Sequence, residues 1–242
     1  MKLAVRRSAI VMAAAAALLL TGCTFGPSPV PTSSPEAAAT PSPTPTAEPE
    51  PIDPLATVTE IVVRPEQLEL HDAQGVVATL SYDADASEFI DTLSTVLGTT
   101  PELSEHGGSM ETPPRTEYSW DGLLASDDHE EEVATDGDQE YGPIDMNVSV
   151  LFSAPTVGDG VTVRTVTGFQ PGGDSQALAA ELGEPWYGNG YDQVRVESGE
   201  PIGEQQPYSN YENAFSVAVN TWEWKGASNT VFAPWNFGIG HV

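Results

Sequence analysis

Cysteine is almost absent from this sequence: Cys23 is the only one in 242 residues. An intramolecular disulfide needs two cysteines, so the chain has no disulfide framework. A structural zinc site made of several thiolates is excluded for the same reason. Packing and hydrogen bonds must therefore hold the fold together.

Basic residues are also scarce, with 8 Lys and Arg against 36 Asp and Glu. A surface this negative repels the phosphate backbone of nucleic acids and the anionic headgroups of lipids. Nucleic acid is therefore excluded as a partner, and charge cannot hold the chain at a membrane. The acidity is typical of solubility in an exposed compartment, and recognition of a cationic partner is the alternative.

No apolar run is long enough for a transmembrane helix, which needs ~20 residues. The longest run, residues 9–20, follows Lys2, Arg6 and Arg7. A basic start followed by a short apolar segment is typical of a secretory signal, here residues 1–22. The pair Arg6-Arg7 leaves a twin-arginine export route as an alternative.

Directly after the apolar run stands Leu20-Thr21-Gly22-Cys23, which resembles the lipobox of bacterial lipoproteins. The resemblance implies cleavage between Gly22 and Cys23 and a diacylglyceryl thioether on the Cys23 sulfur. Two acyl chains anchor a protein stably, whereas one chain binds reversibly. We therefore expect a lipoprotein held at the extracytoplasmic face of the cell membrane. An ordinary secretory peptide with a chance cysteine is the alternative.

Residues 23–54 are rich in Pro, Thr, Ser and Ala. Such a composition cannot bury an apolar face and predicts a disordered tether between the lipid and a domain. The domain is residues 55–242, and it resembles no characterised family. Losing residues 1–22 removes three of the eight cations and no acid, so 36 acids face five bases and the mature formal charge is −31.

The first part of the domain has a clear local pattern. Apolar and polar residues alternate from Leu68 to Tyr82 around a turn at residues 72–75, which predicts a β-hairpin. A helix follows, capped by Asp85 and ended by Gly98. Its apolar stripe comprises Phe89, Ile90, Leu93, Val96 and Leu97.

The same order is predicted again further along the chain. Residues 146–152 and 161–167 read as strands of a hairpin that turns at residues 158–160, and residues 174–182 read as a helix ended by Gly183. Further strands are predicted at residues 118–124, 193–197 and 214–224. Four residue pairs are each 85 positions apart: Gly75 and Gly160, Leu93 and Leu178, Leu97 and Leu182, and Gly98 and Gly183.

These elements predict an α+β domain, with an antiparallel sheet and two helices packed on one side of it. The constant offset has two interpretations that the sequence leaves open. One is a tandem duplication of a ββαβ unit, with halves 55–140 and 141–242. The other is chance, or similar chemistry at two helix ends.

Acidic residues are densest at positions 127–140. The spacing does not match the calcium-binding loop of an EF-hand. When Asp136 is counted as position one, position six is Tyr141 rather than Gly and position twelve is Asn147 rather than Glu. We expect a solvated loop without bound metal, and an irregular calcium site is the alternative.

Histidine and nucleophile patterns do not indicate an enzyme. The histidines are scattered and none has a zinc-binding spacing; they are His71, His106, His129 and His241. Serine-nucleophile motifs and glycine patterns for phosphate binding are missing too. We therefore expect no catalytic residues and no cofactor. A hydrolase that uses a carboxylate pair stays an alternative, because 36 acids always place some pair close together.

Aromatic residues give the only indication of a binding surface. Trp222 and Trp224 fall on the opposite strand face from Phe215, Val217 and Val219. They either pack in the core or form an exposed stacking surface. Residues 186–191 read as an Asn-Gly hairpin turn flanked by aromatics, which is structural or a contact loop.

Two functions of different classes follow. The favoured one is a non-catalytic envelope lipoprotein that binds a protein, a wall polymer or a small ligand. The rival is an extracytoplasmic carboxylate-dependent hydrolase. A solute receptor of an import system is a third, although about 188 residues are few for two lobes with a cleft.

Overall fold

A computed structural model describes the chain in five stretches, residues 53–108, 113–128, 133–136, 139–143 and 145–239. The predicted signal at residues 1–22, Cys23 and the predicted tether up to residue 52 lie outside the described residues. Within the described stretches, no helix is long and apolar enough to span a bilayer.

Twelve of the described strands form two mainly antiparallel sheets. The first has five strands, and the only parallel pair described is β1 with β11. Its order is β10 (Thr156–Val157), β11 (Val161–Thr165), β1 (Glu60–Val63), β2 (Gln67–Asp72) and β3 (Gly75–Ser81). The second has seven strands in the order β12 (Gln193–Ser198), β13 (Phe215–Asn220), β14 (Thr230–Asn236), β9 (Val148–Phe152), β6 (Leu123–Asp128), β5 (Arg115–Trp120) and β4 (Glu102–His106).

Three helical segments complete the described fold. A 3-10 helix (Pro54–Thr57) precedes β1, and the α-helices are α1 (Ala86–Leu97) and α2 (Ser175–Leu182). The coarse prediction is therefore confirmed: the domain is α+β with antiparallel sheets and two α-helices. More of the described residues nevertheless lie in strands than in helices, because the seven-stranded sheet is larger than the sequence pattern predicts.

Both helices begin and end within one residue of the predicted positions. The Asp85 carboxylate accepts the backbone N–H groups of Ser87 and Glu88 at 3.0 and 3.3 Å, which satisfies two donors that the first turn of a helix leaves free. Gly98 ends α1 with φ 69°. At the start of α2 the Asp174 carboxylate accepts the N–H of Ala177 at 3.0 Å, and Gly183 ends the helix with φ 73°. Left-handed backbone costs a glycine little, so each helix stops at its glycine.

Each helix connects the two sheets in the same order. Chain from the β2–β3 hairpin passes through α1 into β4, β5 and β6, which are neighbours at one end of the second sheet. Chain from the β10–β11 hairpin passes through α2 into β12, β13 and β14, which are neighbours at the other end. Strand β9 pairs with β6 and β14 and joins the two sets.

One predicted pairing is wrong. The alternation at residues 146–152 and 161–167 predicts that these two strands form one hairpin, but β9 lies in the seven-stranded sheet and β11 lies in the five-stranded sheet. The hairpin partner of β11 is the two-residue strand β10. An alternating pattern shows that a strand has a buried face, but it does not show which strand lies beside it.

The loop predicted in the acidic segment is also wrong in part. Strands β7 (Val133–Asp136) and β8 (Gln139–Pro143) pair as a separate two-stranded sheet. Local hydrogen bonding between the strands therefore replaces an irregular loop. Residues 129–132 and 137–138 lie outside the described residues, so the expectation of a metal-free segment stays a prediction.

One cluster of buried apolar side chains joins both sheets and both α-helices. It includes Ile61 of β1, Phe89 of α1 and Phe152 of β9. Leu178 of α2 and Val217 of β13 belong to the same cluster. Burying apolar area is the main favourable free energy of folding, so this shared core fixes the positions of the loops that follow α2 and β13.

Tyr82 offers a test of the core. It is fully buried beside Phe89, and its hydroxyl has no hydrogen-bond partner among the described residues. Burial raises the pKa of this phenol well above its ordinary value, so the phenol stays protonated. An unpaired buried hydroxyl costs about 1–3 kcal/mol relative to water.

We therefore expect Tyr82→Phe to raise the free energy of unfolding by about 1 kcal/mol, because the ring is kept and only the unpaired hydroxyl is lost. Urea unfolding followed by circular dichroism measures the change. Tyr208→Phe, at an exposed position, is the control and should change little. A loss of stability in Tyr82→Phe alone would show that the hydroxyl has a partner.

Candidate binding site

The segment between α2 and β12, residues 186–192, is held in shape by one buried carboxylate. Asp192 is 3% exposed. Its carboxylate accepts the backbone N–H groups of Tyr187, Gly188 and Asn189 at 2.6, 3.0 and 3.2 Å. Three such bonds satisfy both the buried charge and the turning backbone. The segment is therefore ordered by its own hydrogen bonds.

The Asn189-Gly190 pair is not the predicted hairpin turn. No strand leads into it, because the residues between α2 and β12 are irregular. Instead the Asn189 side-chain oxygen accepts the N–H of Tyr191 at 2.8 Å, which is an Asx turn. Gly190 adopts φ 81°, a conformation that a residue with a side chain rarely takes.

The three aromatic residues of the segment differ in how much of each side chain is exposed. Trp186 is partly buried against the core. Tyr187 and Tyr191 are 79% and 76% exposed. Two neighbouring aromatic side chains this exposed are unusual, because aromatic rings are usually well covered. The segment therefore offers aromatic surface to a ligand.

The tryptophans predicted as a stacking surface lie beyond the strand. Strand β13 ends at Asn220, four residues before the predicted end, so the alternation of strand faces does not apply to Trp222 and Trp224. Both are half-buried in the connection to β14. Trp224 exchanges backbone hydrogen bonds with Ala227 at 2.7 and 2.9 Å, and the Lys225 ammonium lies 4.6 Å from the centre of its ring.

Trp222 and the aromatic segment are brought together by Thr221. The Thr221 N–H and hydroxyl donate to the Asp192 carbonyl oxygen at 3.0 and 3.1 Å. Asp192 thus orders its own segment through its carboxylate and fixes the neighbouring connection through its backbone. The two features lie side by side, although 30 residues separate Asp192 from Trp222 along the chain.

Between them lies an open depression of about 710 Å³. We call it the aromatic depression, and its lining is Asn189, Gly190, Tyr191, Trp222 and Glu223. The volume falls in the range of ligand pockets in proteins, about 300–1,000 Å³. Two aromatic rings beside one amide and one carboxylate suit a ligand that stacks and accepts or donates hydrogen bonds.

Sequence reasoning singles out Trp222, Asn189 and Tyr191 but misses Glu223 and the ordering residue Asp192. Glu223 is one of 36 acids, and nothing local marks it. The role of Asp192 depends on burial and on contacts with three backbone groups, which a linear pattern does not show. Trp224 does not line the aromatic depression.

A second depression, of about 300 Å³, is acidic. Asp83, Asp128 and Asp145 line it together with Asn147 and Phe215. The Asn147 amide donates to the Asp83 carbonyl oxygen at 3.1 Å. Across the described stretches, no three His, Cys, Asp or Glu side chains are grouped as metal ligands.

The two described histidines each face a carboxylate. His71 Nε2 lies 3.0 Å from Glu69, and His106 Nε2 lies 3.1 Å from Glu117. Neither histidine lines the aromatic depression. His129 and His241 lie outside the described residues. Each described histidine thus has a carboxylate partner within its own sheet.

Outside the aromatic depression, Glu184, Arg195 and Tyr211 form a partly buried polar cluster. The Tyr211 hydroxyl donates to Glu184 at 2.9 Å, and the Arg195 guanidinium stacks 4.5 Å from the centre of the tyrosine ring. Burial and the Glu184 carboxylate raise the pKa of Tyr211 to about 12. The phenol is thus protonated at neutral pH and acts as a hydrogen-bond donor that ties the loop before β13 to α2.

Comparison of the chain with protein-family models, with curated proteins and with solved structures finds no significant match. The function must therefore be inferred from the residues themselves.

Proposed function

We propose that this protein is a lipid-anchored lipoprotein of the extracytoplasmic membrane face, and that its non-catalytic domain binds a saccharide of the cell envelope in the aromatic depression. The anchoring follows from the lipobox at residues 20–23. The observation that carries the binding proposal is the pairing of Tyr191 and Trp222 over a depression that also presents Asn189 and Glu223.

A saccharide matches this surface chemically. A pyranose ring has C–H faces that pack on an aromatic ring and hydroxyl groups around its rim that need polar partners. Trp222 and Tyr191 supply ring surface, while Asn189 and Glu223 supply polar groups. The depression is open rather than enclosed, which suits a segment of a polymer.

The order of the site also supports binding. Three hydrogen bonds to Asp192 fix the segment before any ligand arrives. A surface that is already ordered loses less conformational entropy when it binds.

For the fold, we propose that the domain arose by tandem duplication, with both helices on the same core. Support comes from the repeated order of hairpin, helix and three-stranded meander on the two sides of β9. The helix-ending glycines Gly98 and Gly183 keep the constant offset noted in the sequence, and both helices contribute to one apolar cluster.

Binding can be tested with hexamers of glucose, N-acetylglucosamine and glucosamine, titrated calorimetrically into the mature chain carrying Cys23→Ala. We expect at least one hexamer to bind, and Trp222→Ala to weaken that binding by about tenfold, since one stacking contact contributes about 1–3 kcal/mol. Tyr208→Ala removes an exposed tyrosine outside the lining and should leave the affinity unchanged. Equal loss in both variants, or no binding of any hexamer, would contradict the proposal.

A further inference from the structure

The charge of the aromatic depression is more specific than its shape. Glu223 is its only charged lining residue, and it is exposed. No Lys, Arg or His of the described chain lines the depression. A ligand with phosphate, sulfate or carboxylate groups would meet a carboxylate and no counter-charge. The lining therefore disfavours an anionic saccharide.

All four described arginines already have partners outside the aromatic depression. Each described arginine is in an ion pair with a glutamate: Arg64 with Glu197 at 2.7 Å, Arg115 with Glu117 at 2.9 Å, Arg164 with Glu60 at 2.8 Å, and Arg195 with Glu184 at 3.3 Å. These pairs leave the remaining acids to set the field around the molecule. That field attracts cations toward the surface.

The β13–β14 connection already shows how an ammonium group is held here. The Lys225 Nζ atom lies 4.6 Å from the centre of the Trp224 ring, within the range of a cation–π contact. Lys225 does not line the aromatic depression. Two residues earlier, Trp222 offers a second half-buried indole beside a carboxylate.

We propose that the saccharide bound in the aromatic depression carries a free, protonated amine, and that Trp222 and Glu223 recognise this ammonium group. This inference rests on the proposed function and names its ligand class. An ammonium ion is attracted to the face of an indole and to a carboxylate at once, and these two groups are adjacent in sequence and line one site. Tyr191 is left to pack against the sugar ring.

The hexamers of glucosamine and N-acetylglucosamine form a matched pair, because they differ in whether each amine is free or acetylated. Titration at 0.15 M salt screens charges beyond about 8 Å, so the distant acids contribute little and the contact with Glu223 persists. We expect the glucosamine hexamer to bind about tenfold more tightly than the acetylated hexamer.

Glu223→Gln should reduce this preference to less than about threefold, while the affinity for the acetylated hexamer stays within about twofold. Glu102→Gln removes the same charge from an exposed position on β4, outside the lining, and should leave the preference unchanged. Because both side chains are exposed, neither substitution should disturb folding, and circular dichroism melts verify this.

Other results would overturn the inference. Equal or tighter binding of the acetylated hexamer would refute it but leave the proposed function standing. A preference that falls equally in Glu223→Gln and Glu102→Gln would show diffuse attraction instead of recognition, and would refute it too. If none of the hexamers of glucose, N-acetylglucosamine or glucosamine binds, the proposed function fails together with the inference.

Discussion

Cys23→Ala is expected to release the protein completely from the membrane. The thiol of Cys23 is the only one in the chain, so the variant has no atom that can form the thioether. Each buried CH₂ of an acyl chain contributes about 0.8 kcal/mol to membrane binding, so the two proposed chains would account for essentially all of the anchoring. Without residues 1–22 the chain has 36 acids and five bases, and it would gain no attraction from anionic headgroups to replace them.

Fractionation of cells and the intact mass of the purified product measure the change. The parent should pellet with membranes and carry the added mass of the lipid, whereas the variant should lack that mass and be absent from the washed membrane pellet. Thr24→Ala, one residue beyond the lipobox, is the control and should remain lipidated. An acylated Cys23→Ala product would contradict the anchoring proposal.

Local features of the domain can be read from the sequence because they depend on nearby residues. The α1 helix begins where Asp85 can bond to the next N–H groups and ends where Gly98 can turn left-handed. The β2–β3 hairpin is equally local, since its turn at residues 72–75 joins strands that pair directly. In both cases the residues that determine the structure are close together in the sequence.

Pairing between distant strands cannot be read in the same way. The alternating pattern of β9 is compatible with β11, β6 or β14 as a neighbour. In the structure β9 pairs with β6 and β14. The choice depends on the packing of the whole core, which includes α1 and α2. The sequence pattern of a strand shows which face is buried, but it does not show which strands lie beside it.

The sequence indicates the parts of the aromatic depression but not their proximity, because they are distant along the chain. Trp222 and the segment around Asn189 each show aromatic residues without an obvious structural need. Their proximity depends on Asp192, whose carboxylate and carbonyl oxygen hold both sides. A buried carboxylate that accepts only backbone N–H groups has no signature in sequence, so the assembled site emerges only from the three-dimensional arrangement.

The largest effect on stability is expected from Phe89→Ala. Phe89 is completely buried at the point where α1 meets the shared core, and its ring centre lies 6.1 Å from that of Tyr82. The substitution leaves a cavity that the surrounding sheets can close only in part. We expect the free energy of unfolding to fall by about 3–5 kcal/mol.

Asp91→Ala tests whether that loss comes from the core rather than from the helix. Asp91 is exposed on α1 two residues beyond Phe89, and alanine favours helix at both positions, so Asp91→Ala should change stability by less than about 0.5 kcal/mol. Thermal melts followed by circular dichroism should show Phe89→Ala lowered by roughly 10 °C, since each kcal/mol shifts the midpoint by about 2–4 °C in a domain of this size. Similar melting of the two variants would mean that α1 contributes little to the core. The two sheets would then have to be stable without it.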